Sequence, residues 1–335
     1  MRKTPRFHLL IVLTVLLTAW WTANACTNFA ASYDGMVLFG NSEDGGISHP
    51  LGEGPDTAVV WFCPPVSETL GTGYGCIVLG WFWQGTRISF QGGTNDQGLS
   101  FDSTGIPEVA LNPHPERPFR PEREYFWGKL LRQCATVDDA IALAFQYDWE
   151  HMWFQLFVSD ATGAAAIIGP GLDGELFVER KETEDGYLAQ TNFNRLYPES
   201  HYNRYPCPRY EAAVQILDLA VDRGEVTLEV FTDVLKAVQG TGPFAYTPYS
   251  NIVDPVNRVI TVVYAGQYED PIVLHLDTEL ANGERWAYLS DLVSEDTRIA
   301  GQAVYTRFRT RQRLVLTTAI AGLLAAGVLL LSWIF

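Results

Sequence analysis

From residue 26 onward the chain is dominated by short runs in which apolar and polar residues alternate, the pattern of half-buried β-strands. The segment CTNFAASYDGMVLFGNSEDG predicts one strand, a turn at Tyr33-Asp34-Gly35, and a second strand that ends at Gly40. Further strands are predicted at residues 57–63, 75–82, 86–92, 98–103, 153–159, 164–168, 187–192, 258–264 and 271–276.

Helical periodicity interrupts the strands twice, and each time it predicts a pair of helices. The four helices are expected at Arg123–Cys134, from the N-cap Thr136 to Tyr147, at Pro208–Val221 and at Thr227–Val238. A Pro-rich loop is expected from Pro107 to Pro121. Strand runs that alternate with helix pairs indicate a layered α+β domain rather than a series of βαβ units.

The first 25 residues have the three parts of a secretory signal peptide. A basic start is followed by an apolar stretch from Phe7 to Trp21 and by small residues at Ala23 and Ala25. A first transmembrane helix is the alternative, but the apolar stretch is short and the small residues fit a cleavage site. We therefore expect export and cleavage after Ala25, which makes Cys26 the new N-terminus.

The last residues, Leu314 to Phe335, contain no charge and are long enough for a transmembrane helix. A buried core helix is the alternative. Arginines at 307, 309, 311 and 313 precede this stretch, on the wrong side of a membrane for an exported domain. We predict a membrane-associated tail at residues 307–335 and one domain at residues 26–306, in an exported, extracytoplasmic protein anchored by that tail.

The composition argues against several classes of function. The chain carries 39 acidic against 23 basic residues, which argues against a nucleic-acid partner. Its five cysteines contain no CxxC pair and its six histidines are scattered, so neither a metal nor a cofactor is expected. If Cys26 is a working thiol, four cysteines remain for disulfides in an oxidising compartment. We favour a Cys63–Cys76 pair, because both lie on strands expected to be neighbours.

An N-terminal cysteine has a specific chemical use. Its free α-amino group has an ordinary pKa near 8 and can take the thiol proton, which places nucleophile and base in one residue. The alternative is lipidation of Cys26, as in a bacterial lipoprotein, with the domain serving as a binding protein. The residue three positions earlier is Ala23 rather than Leu, which favours the catalytic interpretation.

The segment that starts at Cys26 resembles the opening of the choloylglycine hydrolase and penicillin V acylase family of N-terminal-nucleophile (Ntn) hydrolases, including its linear amide C–N hydrolase branch. The shared pattern is Cys-Thr, a turn at Asp-Gly, Phe-Gly at Phe39-Gly40, and an Asp shortly after, here Asp44. The resemblance implies that Asp44 holds the α-amine of the nucleophile. Taken alone, Asp44 would be a turn carboxylate.

Later segments are similar to the same family in the same order. QGGTNDQGLSFDSTG places Asn95 at an oxyanion-hole position, LAQTNF nominates Asn192 as a second donor, and CPRYEAAVQIL nominates Arg209. Two donors aimed at a developing oxyanion and an arginine that favours the thiolate fit this chemistry. Taken singly, the two asparagines would be turn residues and Arg209 a surface residue.

One departure limits what the resemblance implies. Bile-salt hydrolases have Arg directly after that Phe-Gly, whereas this chain has Asn41, so bile-salt or penicillin V specificity does not carry over. The aromatic stretches Trp61-Phe62 and Trp81-Phe82-Trp83 are expected in the core, with a pocket for an apolar acyl group as the alternative.

The resemblance thus implies a four-layer αββα Ntn-hydrolase sandwich with Cys26, Asp44, Asn95, Asn192 and Arg209 at its site. The expected reaction is hydrolysis of a small-molecule N-acyl amide through a Cys26 thioester. An acyltransferase, which passes the acyl group to an amine, would use the same residues. The sequence does not indicate the acyl group, the amine or the oligomeric state.

Overall fold

The computed structural model describes residues 26–46, 54–83, 87–120, 123–181, 185–196, 205–243 and 245–334. The strands are β1 Thr27–Tyr33, β2 Met36–Gly46, β3 Ala58–Cys63, β4 Val66–Ser67, β5 Gly71–Thr72, β6 Cys76–Trp83, β7 Arg87–Asn95, β8 Ser100–Ala110, β9 His151–Ser159, β10 Ala165–Pro170, β11 Leu176–Arg180, β12 Gly186–Thr191, β13 Ala245–Asp254, β14 Val259–Tyr264, β15 Ile272–His275 and β16 Arg285–Tyr288. The α-helices are α1 Arg123–Gln133, α2 Val137–Ala144, α3 Pro208–Arg223, α4 Leu228–Val238, α5 Leu276–Ala281 and α6 Glu295–Ile334.

Two antiparallel sheets form the centre of the domain. A six-stranded sheet has the order β12-β1-β2-β13-β14-β15, and an eight-stranded sheet has the order β11-β10-β9-β8-β7-β6-β3-β16. One apolar cluster joins residues of both sheets, such as Phe39 and Phe157, and fills the space between them. A second lies between the eight-stranded sheet and α1 and α2, and a third lies between the six-stranded sheet and α3 and α4. The layers therefore run helix, sheet, sheet, helix.

The predicted helix starts are confirmed by their capping geometry. Thr136 and Asp139 form a capping box at the start of α2. Pro208 is the first residue of α3, where its missing N–H costs nothing, and Thr227 caps α4. The helix α2 ends at Ala144, three residues before the predicted Tyr147.

The six-stranded sheet differs from the prediction in two strands, β2 and β13. Strand β2 was expected to end at Gly40 but continues to Gly46, because β1 and β13 pair with it on both sides. Strand β13 was not predicted at all. It contains Pro248, and its register shifts between Tyr246 and Tyr249, so the proline sits at a bulge where no ladder hydrogen bond is required.

The C-terminal prediction needs correction. The helix α6 starts at Glu295 and runs through the boundary expected at residues 306 and 307. It packs on the domain through Tyr305 and Phe308, whose rings contact Tyr246 of β13. Within the described part of the chain, no helix has the length and apolar character needed to cross a membrane, so the transmembrane segment predicted at Leu314–Phe335 is not supported.

Other differences are smaller. Strands β11 and β16 and the short helix α5 were not predicted, and β8 extends to Ala110, four residues into the segment expected to be a loop. Cys63 and Cys76 do face each other in register on β3 and β6, as free thiols. The predicted signal peptide, residues 1–25, lies outside the described residues and stays a prediction.

Candidate active site

Cys26 directly precedes β1 and is buried. Farther along β1, Phe29 belongs to the core under α3 and α4, and Ala30 belongs to the core between the sheets. Because side chains alternate along a strand, Cys26 and Asn28 are turned toward the eight-stranded sheet. The nucleophile predicted from the sequence therefore faces the interior of the domain rather than its surface.

The thiol of Cys26 is surrounded by negative charge. The pairing of Thr27 with Ser42 puts Cys26 opposite Glu43 on β2. Burial raises the pKa of the Cys26 thiol well above its usual range, and the carboxylates of Glu43 and Asp44 raise it further. The thiol is thus neutral at physiological pH and needs a base before it can act as a nucleophile.

Asp44 lies near the end of β2 and is buried. Its Oδ1 accepts hydrogen bonds from Thr247 Oγ1 and, at 3.4 Å, from Ser42 Oγ. Thr247 Oγ1 also accepts the backbone N–H of Gly240 at 2.8 Å, which fixes the hydroxyl. Burial raises the pKa of the Asp44 carboxyl to about 7, against the lowering effect of the Arg209 guanidinium.

The second oxygen of this carboxyl, Asp44 Oδ2, is buried and has no hydrogen-bond partner among the residues that the structure describes. The backbone N–H of the same residue hydrogen-bonds the Cys26 thiol, so the two residues are adjacent. One carboxylate oxygen is therefore held in place, and the other is available to a donor beside Cys26, such as an α-amine.

Arg209, in the first turn of α3, connects the strands that carry the site. Its Nη1 donates to the carbonyl oxygen of Cys26 at 2.8 Å and to Thr27 Oγ1 at 3.1 Å. Its Nη2 donates to Asn192 Oδ1 at 3.3 Å. The Arg209 guanidinium thus holds the backbone of Cys26 and the side chain of Asn192, and its predicted effect on the thiol stays a prediction.

Asn192 lies one residue beyond β12 and is buried. With Oδ1 held by Arg209, its Nδ2 donates to the carbonyl oxygen of Gly105 on β8 at 3.1 Å. An amide nitrogen carries two hydrogens, so one donor remains. A Cβ at Gly105 would meet only this Nδ2, at 4.0 Å, so there is open space between β8 and the amide.

Asn95 is not part of this group, which corrects the sequence-based prediction. Its Nδ2 donates to the carbonyl oxygens of Leu131 at 2.9 Å and Cys134 at 2.7 Å, at the end of α1. Its Oδ1 accepts the backbone N–H groups of Gln97 and Leu99. The side chain therefore lies on the helix-covered face of the eight-stranded sheet, with both amide hydrogens used. Asn95 closes the β7–β8 turn.

Sequence reasoning missed three polar residues that the fold brings to the site. Thr247 holds Asp44, and Glu43 and Asp102 both act electrostatically on the Cys26 thiol. Asp102, on β8, lies over Gly92 of β7, where a Cβ would collide with its carboxylate. Alternation along FGNSED would have placed Glu43 on the Cys26 side, had β2 been extended past Gly40. No local signal identifies Thr247, which lies in an unpredicted strand.

Comparison with known proteins gives a fold but no sequence relative. No protein-family model and no curated protein matches the chain. Two variants of conjugated bile acid hydrolase from Clostridium perfringens are similar in structure. One has a TM-score of 0.58 at 15% identity over 78% of this chain and 96% of that chain. The other has a TM-score of 0.56 at 14% identity over 78% and 95%.

Penicillin V acylase from Agrobacterium tumefaciens is also similar, with a TM-score of 0.53 at 16% identity over 74% of this chain and 84% of that chain. The chain has an Ntn-hydrolase fold. The four layers described above agree with this assignment. At such low identity the likeness extends only to the fold.

Proposed function

We propose that this chain is an exported cysteine amidase of the Ntn type, which hydrolyses a linear, non-peptide carbon–nitrogen amide bond through a thioester on Cys26. One observation carries the proposal. A buried cysteine at the start of β1 lies beside a buried carboxylate whose second oxygen lacks a described partner. An α-amine on Cys26 would supply that partner. The fold shared with conjugated bile acid hydrolase and penicillin V acylase supports the reaction class.

The proposed reaction starts from the neutral thiol. The α-amine of Cys26, oriented by Asp44, takes the thiol proton, and the thiolate adds to the amide carbonyl. The remaining N–H of Asn192 donates to the developing oxyanion. The C–N bond breaks as the ammonium gives its proton to the leaving amine.

The second half of the reaction releases the acyl group. With the neutral α-amine as base, water adds to the thioester, the C–S bond breaks, and a carboxylic acid leaves. The Cys26 thiol regains its proton. Arg209 holds the Cys26 backbone and the Asn192 side chain in fixed positions during both half-reactions, because its guanidinium donates a hydrogen bond to each of them. An amine in place of water would make the chain an acyltransferase.

The test combines processing with turnover. The mature protein should begin at Cys26 with an unmodified amine, as measured by intact mass. A panel of N-acyl amides should then yield the free acid and amine. Cys26→Ala should reduce turnover to background, while Cys207→Ser, a change at the N-cap of α3 that improves capping, should leave turnover unchanged.

Three results would contradict the proposal: a retained leader on active enzyme, turnover by Cys26→Ala, or a diacylglyceryl adduct on Cys26. The adduct would indicate a lipidated binding protein instead. A membrane tether is not part of the proposal, because no helix in the described ranges fits one.

A further inference from the structure

A row of four amide side chains crosses the six-stranded sheet next to Cys26. Strand pairing places Gln190 of β12, Asn28 of β1, Asn41 of β2 and Asn251 of β13 side by side. All four are buried. Each is two residues from a member of the core between the sheets, so all four face the eight-stranded sheet, as Cys26 does.

The hydrogen bonds within this amide row are incomplete. Asn41 Nδ2 donates to Asn28 Oδ1 at 2.8 Å. Gln190 Nε2 donates to Thr104 Oγ1 and to the backbone carbonyl of Gln155. This leaves Asn28 Nδ2, Asn41 Oδ1 and Gln190 Oε1 buried with no hydrogen-bond partner among the described residues. Exchanging O and N in the Asn28–Asn41 pair would still leave one carbonyl oxygen and one NH2 group.

Unpartnered buried polar atoms are costly, about 1–3 kcal/mol each, so native proteins pair them with protein, water or ligand. Here they lie in the row next to Cys26 and Glu43, about 7 Å away along the strands. Two buried carboxylates, Glu43 and Asp102, act electrostatically on the Cys26 thiol. The space beside the nucleophile therefore contains two carboxylates. It also contains the amide oxygens of Asn41 and Gln190, which lack a hydrogen-bond partner among the described residues.

The proposed reaction fixes which part of a substrate reaches this row. The α-amine and Asp44 lie beyond Cys26, where the leaving amine must receive its proton. Asn28 follows Cys26 in the opposite direction along β1. The leaving group therefore points toward Asp44, and the acyl group extends toward the amide row.

We propose, on the basis of the function proposed above, that the acyl part of the substrate carries a cationic, hydrogen-bond-donating nitrogen group, which Glu43, Asp102 and the amide row hold about 7 Å from the scissile carbonyl. An ammonium or guanidinium group donates several hydrogen bonds, which the amide oxygens of Asn41 and Gln190 can accept, and its charge is opposite to that of the two carboxylates. An apolar acyl group would leave these atoms unpaired. The specificity thus differs from that of an enzyme with an apolar acyl pocket.

Two matched anilides test this proposal, one with a 6-aminohexanoyl group and one with a heptanoyl group, in which a methyl replaces the ammonium. The processed full chain should prefer the cationic anilide at least tenfold in kcat/KM. Glu43→Gln keeps the shape and removes the charge, so it should reduce that preference by about 10- to 100-fold, the range for hydrogen bonds to charged groups. Because Glu43 also raises the pKa of the Cys26 thiol, the readout is the ratio of the two kcat/KM values, in which an equal effect on both anilides cancels. The exposed residue Glu225 supplies the control Glu225→Gln, which should leave both rates unchanged.

The two proposals fail in different ways. If Cys26-dependent turnover occurs but the neutral anilide is preferred, or Glu43→Gln leaves the preference unchanged, the cationic group is wrong and the row binds water. If neither anilide is turned over, the proposed site is tested by calorimetry, which measures the binding of 6-aminohexanamide and heptanamide to Cys26→Ala. Selective binding of the cationic amide that Glu43→Gln abolishes would support the site, and equal binding would overturn it.

Discussion

Replacing Asp44 with Asn should have separate effects on the pH dependence of unfolding and on turnover. Burial raises the pKa of the Asp44 carboxyl from 3.8 to about 7, which corresponds to about 4 kcal/mol against ionising it in the folded chain. Between pH 4 and 7 the unfolded chain gives up this proton and the folded chain keeps it. The free energy of unfolding therefore falls as the pH rises, by up to about 4 kcal/mol at this site.

The unprocessed chain should show this loss in full, because it has no α-amine beside the carboxylate. Ala25→Leu removes the small residue that cleavage requires and supplies that form. In the processed protein the α-ammonium stabilises the carboxylate, so the loss between pH 4 and 7 should be smaller. Asp44→Asn should abolish the loss in either form, and Asp222→Asn, at an exposed position on α3, should not.

Denaturant unfolding from pH 4 to 8, measured alongside turnover, is the assay. Asp44→Asn should lower kcat by 10²- to 10⁴-fold, the range for a misplaced general base, while the processed protein stays folded. Two results would refute the reasoning. One is the same pH dependence of unfolding in processed and unprocessed wild type. The other is near-normal turnover by Asp44→Asn.

Three further predictions follow from the same contacts. Asn192→Ala should cost about 10²- to 10³-fold in kcat with little change in KM, since it removes an oxyanion donor; a change in KM alone would contradict this. Thr247→Val should shift the acid limb of the pH–rate profile to higher pH, because the Thr247 hydroxyl lowers the pKa of Asp44, and Thr247→Ser should restore the limb. Peptide mapping without reduction should find Cys63 bridged to Cys76 in the exported protein, as their register allows, and Cys26 reduced.

Local patterns were sufficient for most elements of the fold. The helix starts at Thr136, Pro208 and Thr227 depend on side chains within one turn, so the sequence identifies them. Strand β13 could not be found this way, because Pro248 and the polar residues around it are typical of a loop. It forms a strand because β2 and β14 provide partners on both sides.

The site shows the same limit. Cys26 follows from its position after the predicted cleavage site, whereas Asp44, Asn192 and Arg209 were placed by family resemblance alone. Asn95 was misplaced because the segment GGTNDQGL resembles the family pattern whichever face of the strand its asparagine occupies. Only the pairing of β7 with β6 and β8 decides that the side chain points to α1. The side of the sheet on which a side chain lies is set by strand register, and register depends on residues far apart in sequence.

The space between the two sheets changes character along β1 and β2, and this change relates the fold to the proposed chemistry. Ala30 and Phe39 belong to the apolar core, whereas the neighbouring rows carry amides and then Cys26 and Glu43. Burial of polar groups in these rows works against stability. Amide atoms without a hydrogen-bond partner in the described part of the chain cost free energy, and so does a carboxyl with a raised pKa. Rules of strand patterning favour apolar residues at all of these positions. Departures of this kind are expected where function overrides packing, so the polar half of the space is where we expect substrate specificity to reside.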